Sequence, residues 1–95
     1  MEIEITGHQM VVTPRLKALV EENLAQLEHY YNHIMRAHVV LEVNKVRHIA
    51  KGHLFLKGKT INAEAETEDM YKSVDQLAKK LLSEIKKYKD KKQQH

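Results

Sequence analysis

The residues best equipped for chemistry in this chain are lysines. Positions 79, 80, 86, 87, 89, 91 and 92 are all lysine, and Glu84 and Asp90 are the only acids among them. Residues 79–92 therefore carry +5, whereas residues 1–78, with nine basic and eleven acidic side chains, carry −2. So dense a run of ammonium groups suits the neutralisation of a polyanion. A chain that is mildly acidic along its body and strongly basic at one end draws such a partner to that end by long-range attraction.

Helical spacing sharpens this. On a wheel with Leu81 at zero, Met70, Val74, Leu77, Ile85 and Tyr88 fall within about 40° of it and form a stripe for burial. Lys72, Lys79 and Lys86 lie nearly opposite, flanked by Lys80 and Lys87. A solvated helix face is the ordinary explanation of such lysines. A face built only for solubility, however, mixes signs and uses i,i+4 Glu–Lys pairs. Here Glu84 is the one close acid, and like charges at these spacings cost a few tenths of a kcal/mol per pair. A ligand accounts for a cost that packing does not return.

A second basic run, Lys45, Arg47, Lys51, Lys57 and Lys59, spans fifteen residues without an acid. Two basic zones flanking one sheet could follow a phosphate backbone. Arginine is scarce (Arg15, Arg36, Arg47), so bidentate reading of bases is not the theme. Phe55 is expected to point outward, but a lone aromatic is not a single-strand stacking platform. The pattern points to recognition of backbone and shape, as in folded RNA.

Other chemistries find little support. With no cysteine there is no disulfide or thiolate metal site. His29 and His33 are four apart, as on a shared helix face, but no carboxylate completes a zinc motif. His8, His38, His48, His53 and His95 are scattered. No nucleophile motif or Gly-rich phosphate loop is present, and the acids of EAEAETED read as solvent-facing. The expectation is a protein that is not an enzyme and takes no cofactor, metal or small-molecule substrate. The start, MEIEITGHQM, is no signal peptide, and no apolar run approaches a membrane span. A cytoplasmic protein without a membrane partner is expected.

The elements follow from periodicity. Residues 2–6 alternate as a strand. Thr13-Pro14 starts a helix over about 14–31, carried by Leu16, Leu19, Val20, Leu24, Leu27 and Tyr31 and ended by Asn32-His33. Residues 35–47 form the longest strand, with Ala37, Val39, Leu41 and Val43 on one face. HIAKGH breaks that run. Leu54 and Leu56 face inward before a turn at Lys57-Gly58-Lys59, and Ile61, Ala63 and Ala65 mark a fourth strand. A last helix runs from near 67–69 to about 90. The fold class is α+β, in the order β-α-β-β-β-α, with a four-stranded sheet carrying both helices on one face in a single domain, 1–95.

Four segments, EIEITGHQMVVT, QLEHYYNHI, VVLEVNKVRH and AEAETEDMYKSVDQLAKKLLSEIKKYKDK, together resemble the ribosome hibernation-promoting factor family, which includes protein Y, over essentially the whole chain. DMYKSVDQLAKKL followed by KYKDK is the most specific part. The resemblance implies a β-α-β-β-β-α fold and binding to the small ribosomal subunit, where mRNA and the A- and P-site tRNAs would lie. Inhibition of translation in stationary phase would come from occupancy. It places Lys80, Lys87, Lys89 and Lys91 at basic positions of the family's final helix, Lys45 in its VNKV segment and Lys17 on its first helix. Ser83 stands where relatives often have arginine, and Asn23 and Gln26 replace helix-one lysines of some relatives, so Lys79 and Lys86 are expected to compensate. With Arg47 and Lys51 from the second run, these form the expected rRNA-binding set. The chain ends soon after the helix, which fits the short form, acting with a separate ribosome modulation factor to complete inactive ribosome dimers. The alternatives are a general double-stranded or structured RNA-binding module, and a protein-interaction module whose lysines are only solvated.

Overall fold

Seven residues of alternating character at the N-terminus form strand β1 (Glu2–His8), and the chain then enters helix α1 (Pro14–Tyr30). The computed structural model describes residues 1–93, with side chains through Lys91; the Lys92 side chain and His95 lie outside the described part. Thr13 is the N-cap of α1, in extended conformation, and its hydroxyl accepts from the Leu16 amide at 3.2 Å. Pro14, lacking an N–H, occupies the first helical position, where none is needed. The helix stops at Tyr31, whose amide still reaches the Leu27 carbonyl while its own backbone has turned extended.

Strands β2 (Ile34–Asn44), β3 (Arg47–Leu56) and β4 (Lys59–Thr67) follow, then helix α2 (Met70–Gln93). The strand order is β1-β2-β3-β4, with β1 parallel to β2 and the other pairs antiparallel. A parallel neighbour needs a crossover, which α1 supplies, while tight hairpins make the antiparallel pairs. One face of the sheet buries Ala37, Val39 and Leu41 from β2, Ala50, Leu54 and Leu56 from β3, and Ile61 and Ala65 from β4. Leu16, Val20, Leu24 and Leu27 from α1 and its C-cap Tyr31 cover it, with Met70, Val74, Leu77, Leu81 and Ile85 from α2. Both helices thus lie on one face, as their apolar stripes require. No helix among the described residues is long and apolar enough to cross a membrane.

The structure corrects one expectation about the sheet. HIAKGH does not interrupt the strand run: all six residues belong to β3, and the connection is only Lys45-Val46, between the paired Asn44 and Arg47. Gly52, which reads as a breaker in sequence, is a packing device. A Cβ there would meet Leu81 Cδ1 at 3.0 Å and Leu77 at 3.2 Å, so the missing side chain lets α2 settle on the backbone of β3.

The start of α2 is tied to the sheet by polar contacts. Asp69 caps it, its carboxylate accepting from the Tyr71 amide at 2.9 Å. Fully buried Ser73 donates to the His48 carbonyl at 2.6 Å and lies 2.8 Å from the Thr67 hydroxyl. These bonds satisfy polar groups that the packing of the helix start removes from water.

Candidate nucleic-acid interface

α1 and α2 lie side by side and run in the same direction. The Arg15 guanidinium sits 5.2 Å from the Tyr71 ring near both helix starts. Asn23 Nδ2 donates to Asp75 Oδ1 at 3.3 Å farther along. The Tyr30 ring at the end of α1 meets Lys86 and Lys89. This pairing sorts the lysines of α2, which the wheel placed in one band, into two rows. Lys79 and Lys86 line a groove against α1, and Lys89 lies over the same Tyr30 ring at its end. Lys80, Lys87 and Lys91, about 100° per residue round the helix, fall on the opposite flank, along the free edge of β4.

Lys80 shows what that flank does. Its Nζ donates to the Glu64 carbonyl at 2.7 Å. The two-residue β3–β4 loop makes Leu56 and Lys59 the closing pair. Alternation then turns the backbone groups of Glu64 out of the sheet. The lysine therefore satisfies an edge carbonyl and places a positive charge where another strand would otherwise add. Lys87 lies 3.4 Å from Glu84. On the groove side the charges are less compensated: among the described residues, Lys79, Lys86 and Lys89 have no acid within ion-pair distance.

The second basic run is contiguous in sequence but divided in space. β3 is ten residues long, so Lys45 and Lys57 stand roughly 33 Å apart at its two ends. Because α2 packs back antiparallel to β4, its C-terminal lysines lie toward the Lys57-Gly58-Lys59 turn, while Lys45 and Arg47 belong to the opposite pole. Lys51 lies midway, on the sheet face away from the helices. It is 3.8 Å from Glu64, and Arg47 is 3.6 Å from Glu66; both partners come from β4. The run has no acid in sequence, but the cross-strand register supplies two. Lys17 is set apart as well. It shares the outer flank of α1 with Glu21 and Glu28, about a third of a turn from the side that meets α2. Glu28 there holds the N-terminal amine at 2.8 Å.

Lys45 has its own feature. Its φ is 58°, in the first position of a two-residue hairpin loop where glycine is favoured. A lysine held there costs about 1 kcal/mol of backbone strain. Lys45→Gly is expected to leave stability unchanged or raise it by up to about 1 kcal/mol, since relieved strain opposes the added freedom of the unfolded chain. If this lysine contacts a phosphate, the same change lowers the salt dependence of RNA binding by about one unit of slope. Denaturant titration with binding measured over a salt series checks both; a clear loss of stability would mean that the lysine stem packs structurally.

The open sheet face brings together residues that are scattered in sequence. His38 and His53 are register partners, with ring centroids 6.2 Å apart. His53 Nδ1 donates to Asn62 Oδ1 at 2.6 Å, and Thr6 Oγ1 lies 3.1 Å from His38 Nε2. Phe55 does point outward, and Arg36 stacks on it at 4.2 Å. His29 and His33, four apart in sequence, do not share a helix face. α1 has ended before His33, whose ring instead packs edge-on to Tyr31 at 5.3 Å.

A family model described as Sigma 54 modulation protein / S30EA ribosomal protein matches residues 3–93. The chain belongs to that family. Within it, the chain is 41% identical to the ribosome hibernation promoting factor of Salmonella typhimurium and 40% identical to that of Escherichia coli, over the full length of each. Among solved structures, a ribosomal subunit interface protein from Coxiella burnetii superposes with a TM-score of 0.90 at 38% identity, covering 95% of this chain and 99% of that one. The N-terminal domain of Thermus thermophilus protein Y gives 0.86 at 27% identity, covering 93% and 99%. The S30EA fold thus accounts for the β-α-β-β-β-α order and the placement of both helices.

Tyr30 and Arg36 take places at the surface that sequence reasoning did not assign to them. Both lie outside the apolar stripes. A long aromatic next to a core tyrosine, and an arginine on an outward strand position, are the signals that mark them.

Proposed function

We propose that this S30EA protein is a ribosome hibernation factor. It binds the small ribosomal subunit in the region of mRNA and the A- and P-site tRNAs, inhibits translation by occupancy and promotes inactive ribosome dimers together with a modulation factor. The observation that carries this is the lysine-rich outer surface of α2, in a chain 40% identical over its full length to ribosome hibernation promoting factors. Such a surface has no substrate to turn over; it holds phosphates. Lys79, Lys80, Lys86, Lys87, Lys89 and Lys91 form the principal contact. Lys45 and Arg47 serve as a separate contact at the other pole, Lys51 as a neighbour on the open face, and Lys17 as the most remote member.

The test is co-sedimentation of the purified protein with small subunits, large subunits and whole ribosomes at two salt concentrations. The expected result is selective retention on the small subunit, displaced by mRNA and tRNA. With about five phosphates neutralised, affinity on a simple RNA falls roughly a hundredfold between 50 and 200 mM salt. Equal retention on plain duplex RNA and on every subunit, lost at moderate salt, would replace this reading with a general structured-RNA binder.

A further inference from the structure

The groove between α1 and α2 is open and has a volume of about 470 Å³, inside the roughly 300–1,000 Å³ range of small-ligand sites. Leu27, Ala78 and Leu82 form its apolar floor, and Tyr30, Lys79 and Lys86 stand on its walls. We infer that this groove holds one unpaired nucleotide of RNA, with the base against Tyr30 and the apolar floor and the phosphate among Lys79, Lys86 and Lys89. The inference rests on the RNA-binding reading above and deepens it, adding base stacking to a surface otherwise suited only to backbone contact.

Three observations carry it. Adjacent tyrosines at the end of α1 are treated differently: the C-cap Tyr31 is 8% exposed and Tyr30 38%. The backbone turns extended at Tyr31 and carries that ring into the core, while Tyr30, the last helical residue, stays at the groove. Next, Lys86 and Lys89 converge on the Tyr30 ring, their Nζ atoms 5.7 and 4.6 Å from its centroid. Ammonium groups gathered at one ring repel one another, and an anion beside them relieves that repulsion. Finally, the groove is polar in direction. Asp75, bonded to Asn23, occupies the end toward the helix starts, and the lysines the end toward the helix tips. A phosphate is repelled from the first and attracted to the second, so the base points toward the Asn23 and Gln26 amides. Lysine stems are long enough to swing from the ring to the phosphate as the base enters.

The experiment is an NMR titration of the full chain at low salt with a tetra-adenylate RNA and an abasic tetramer of the same charge. Tyr30 ring protons are expected to move upfield with the adenylate alone, which should bind about five- to a hundredfold more tightly. Tyr30→Ala should erase that preference while both tetramers still bind weakly; Tyr30→Phe should retain it, because the ring and not the hydroxyl stacks. Tyr30 is exposed, and an unchanged amide spectrum verifies the fold of each variant. Equal affinity for the two tetramers, no detectable binding of either, or a preference that survives Tyr30→Ala overturns the inference. Small-subunit retention measured on the same proteins separates the two readings. Retention without a base preference removes the slot and leaves the hibernation reading; a base preference without selective retention does the reverse.

Discussion

Reversing Lys79, Lys80, Lys86 and Lys87 to Glu together is expected to abolish retention on the small subunit while leaving a folded protein. All four side chains are exposed. The interactions removed lie at the surface: the Lys80 bond to the Glu64 carbonyl, the Lys87–Glu84 pair and the Lys86–Tyr30 approach. Exposed ion pairs and cation–π contacts are worth about 1 kcal/mol or less apiece. The new acids also oppose the negative C-terminal end of the α2 dipole. An acid at position 87 is four residues before Lys91, and one at position 86 is three before Lys89, which offsets part of that cost. The variant should therefore melt somewhat lower, yet with an unchanged circular dichroism spectrum at 25 °C. Against RNA the change is of another order, because four attractive charges become four repulsive ones. A gentler variant with Gln at the same positions gives the quantitative check. Each lost phosphate contact reduces the slope of log affinity against log salt by about 0.7–0.9, so four reduce it by about 3. Unaltered retention and slope in the folded variants would remove α2 from the interface and return its lysines to the status of a solvated face.

The second large effect concerns the joint between α2 and β3. Leu81 is fully buried and its Cδ1 lies 3.0 Å from where a Gly52 Cβ would be. Leu81→Ala opens a cavity over the centre of the sheet and should cost about 3–5 kcal/mol. That is a large share of the roughly 5–15 kcal/mol typical of a domain's total stability. Gly52→Val drives two methyl groups and a Cβ into the same space and should cost about 1–3 kcal/mol by overpacking. The double variant is the informative one. The valine fills part of the void left by the leucine, so the combined loss should fall short of the sum by at least about 1 kcal/mol. Chemical denaturation of the four proteins measures this coupling. Strict additivity would show that the helix does not rest on that glycine.

That joint also shows where local reading stops. Gly52 beside Lys51 has the composition of a loop, and HIAKGH reads as a break in the strand run. Nothing in the neighbouring residues reveals that a helix some thirty positions later needs the space. Conversely, Thr13-Pro14 states its role locally, because a cap and a missing N–H act within one turn. The Lys57-Gly58 turn was legible for a similar reason: Gly58 takes φ 75°, a conformation that its lack of a Cβ makes inexpensive.

The candidate site divides along the same line. The lysine excess of residues 79–92 and its position opposite the Met70–Tyr88 stripe are properties of a single helix, so composition and a 3.6-residue period were enough to find them. The second basic run was not a site in the same sense. Its members lie along β3 and at the hairpin turns that bound it, and a strand carries its two ends apart at about 3.3 Å per residue. Register then sets Glu64 and Glu66 across from Lys51 and Ile49, supplying acids that the local sequence lacks.

By itself, then, the sequence determined the order of the six elements, the two apolar helix stripes and the charge asymmetry of the chain, since each arises from spacing within one segment. Only the tertiary structure decided which lysines face α1 and which guard the edge of β4. It also decided that His38 meets His53, and that Tyr30 stands over a groove while Tyr31 enters the core. Those outcomes depend on strand register and on the angle at which one helix meets another, and both are settled by packing between residues far apart in the chain.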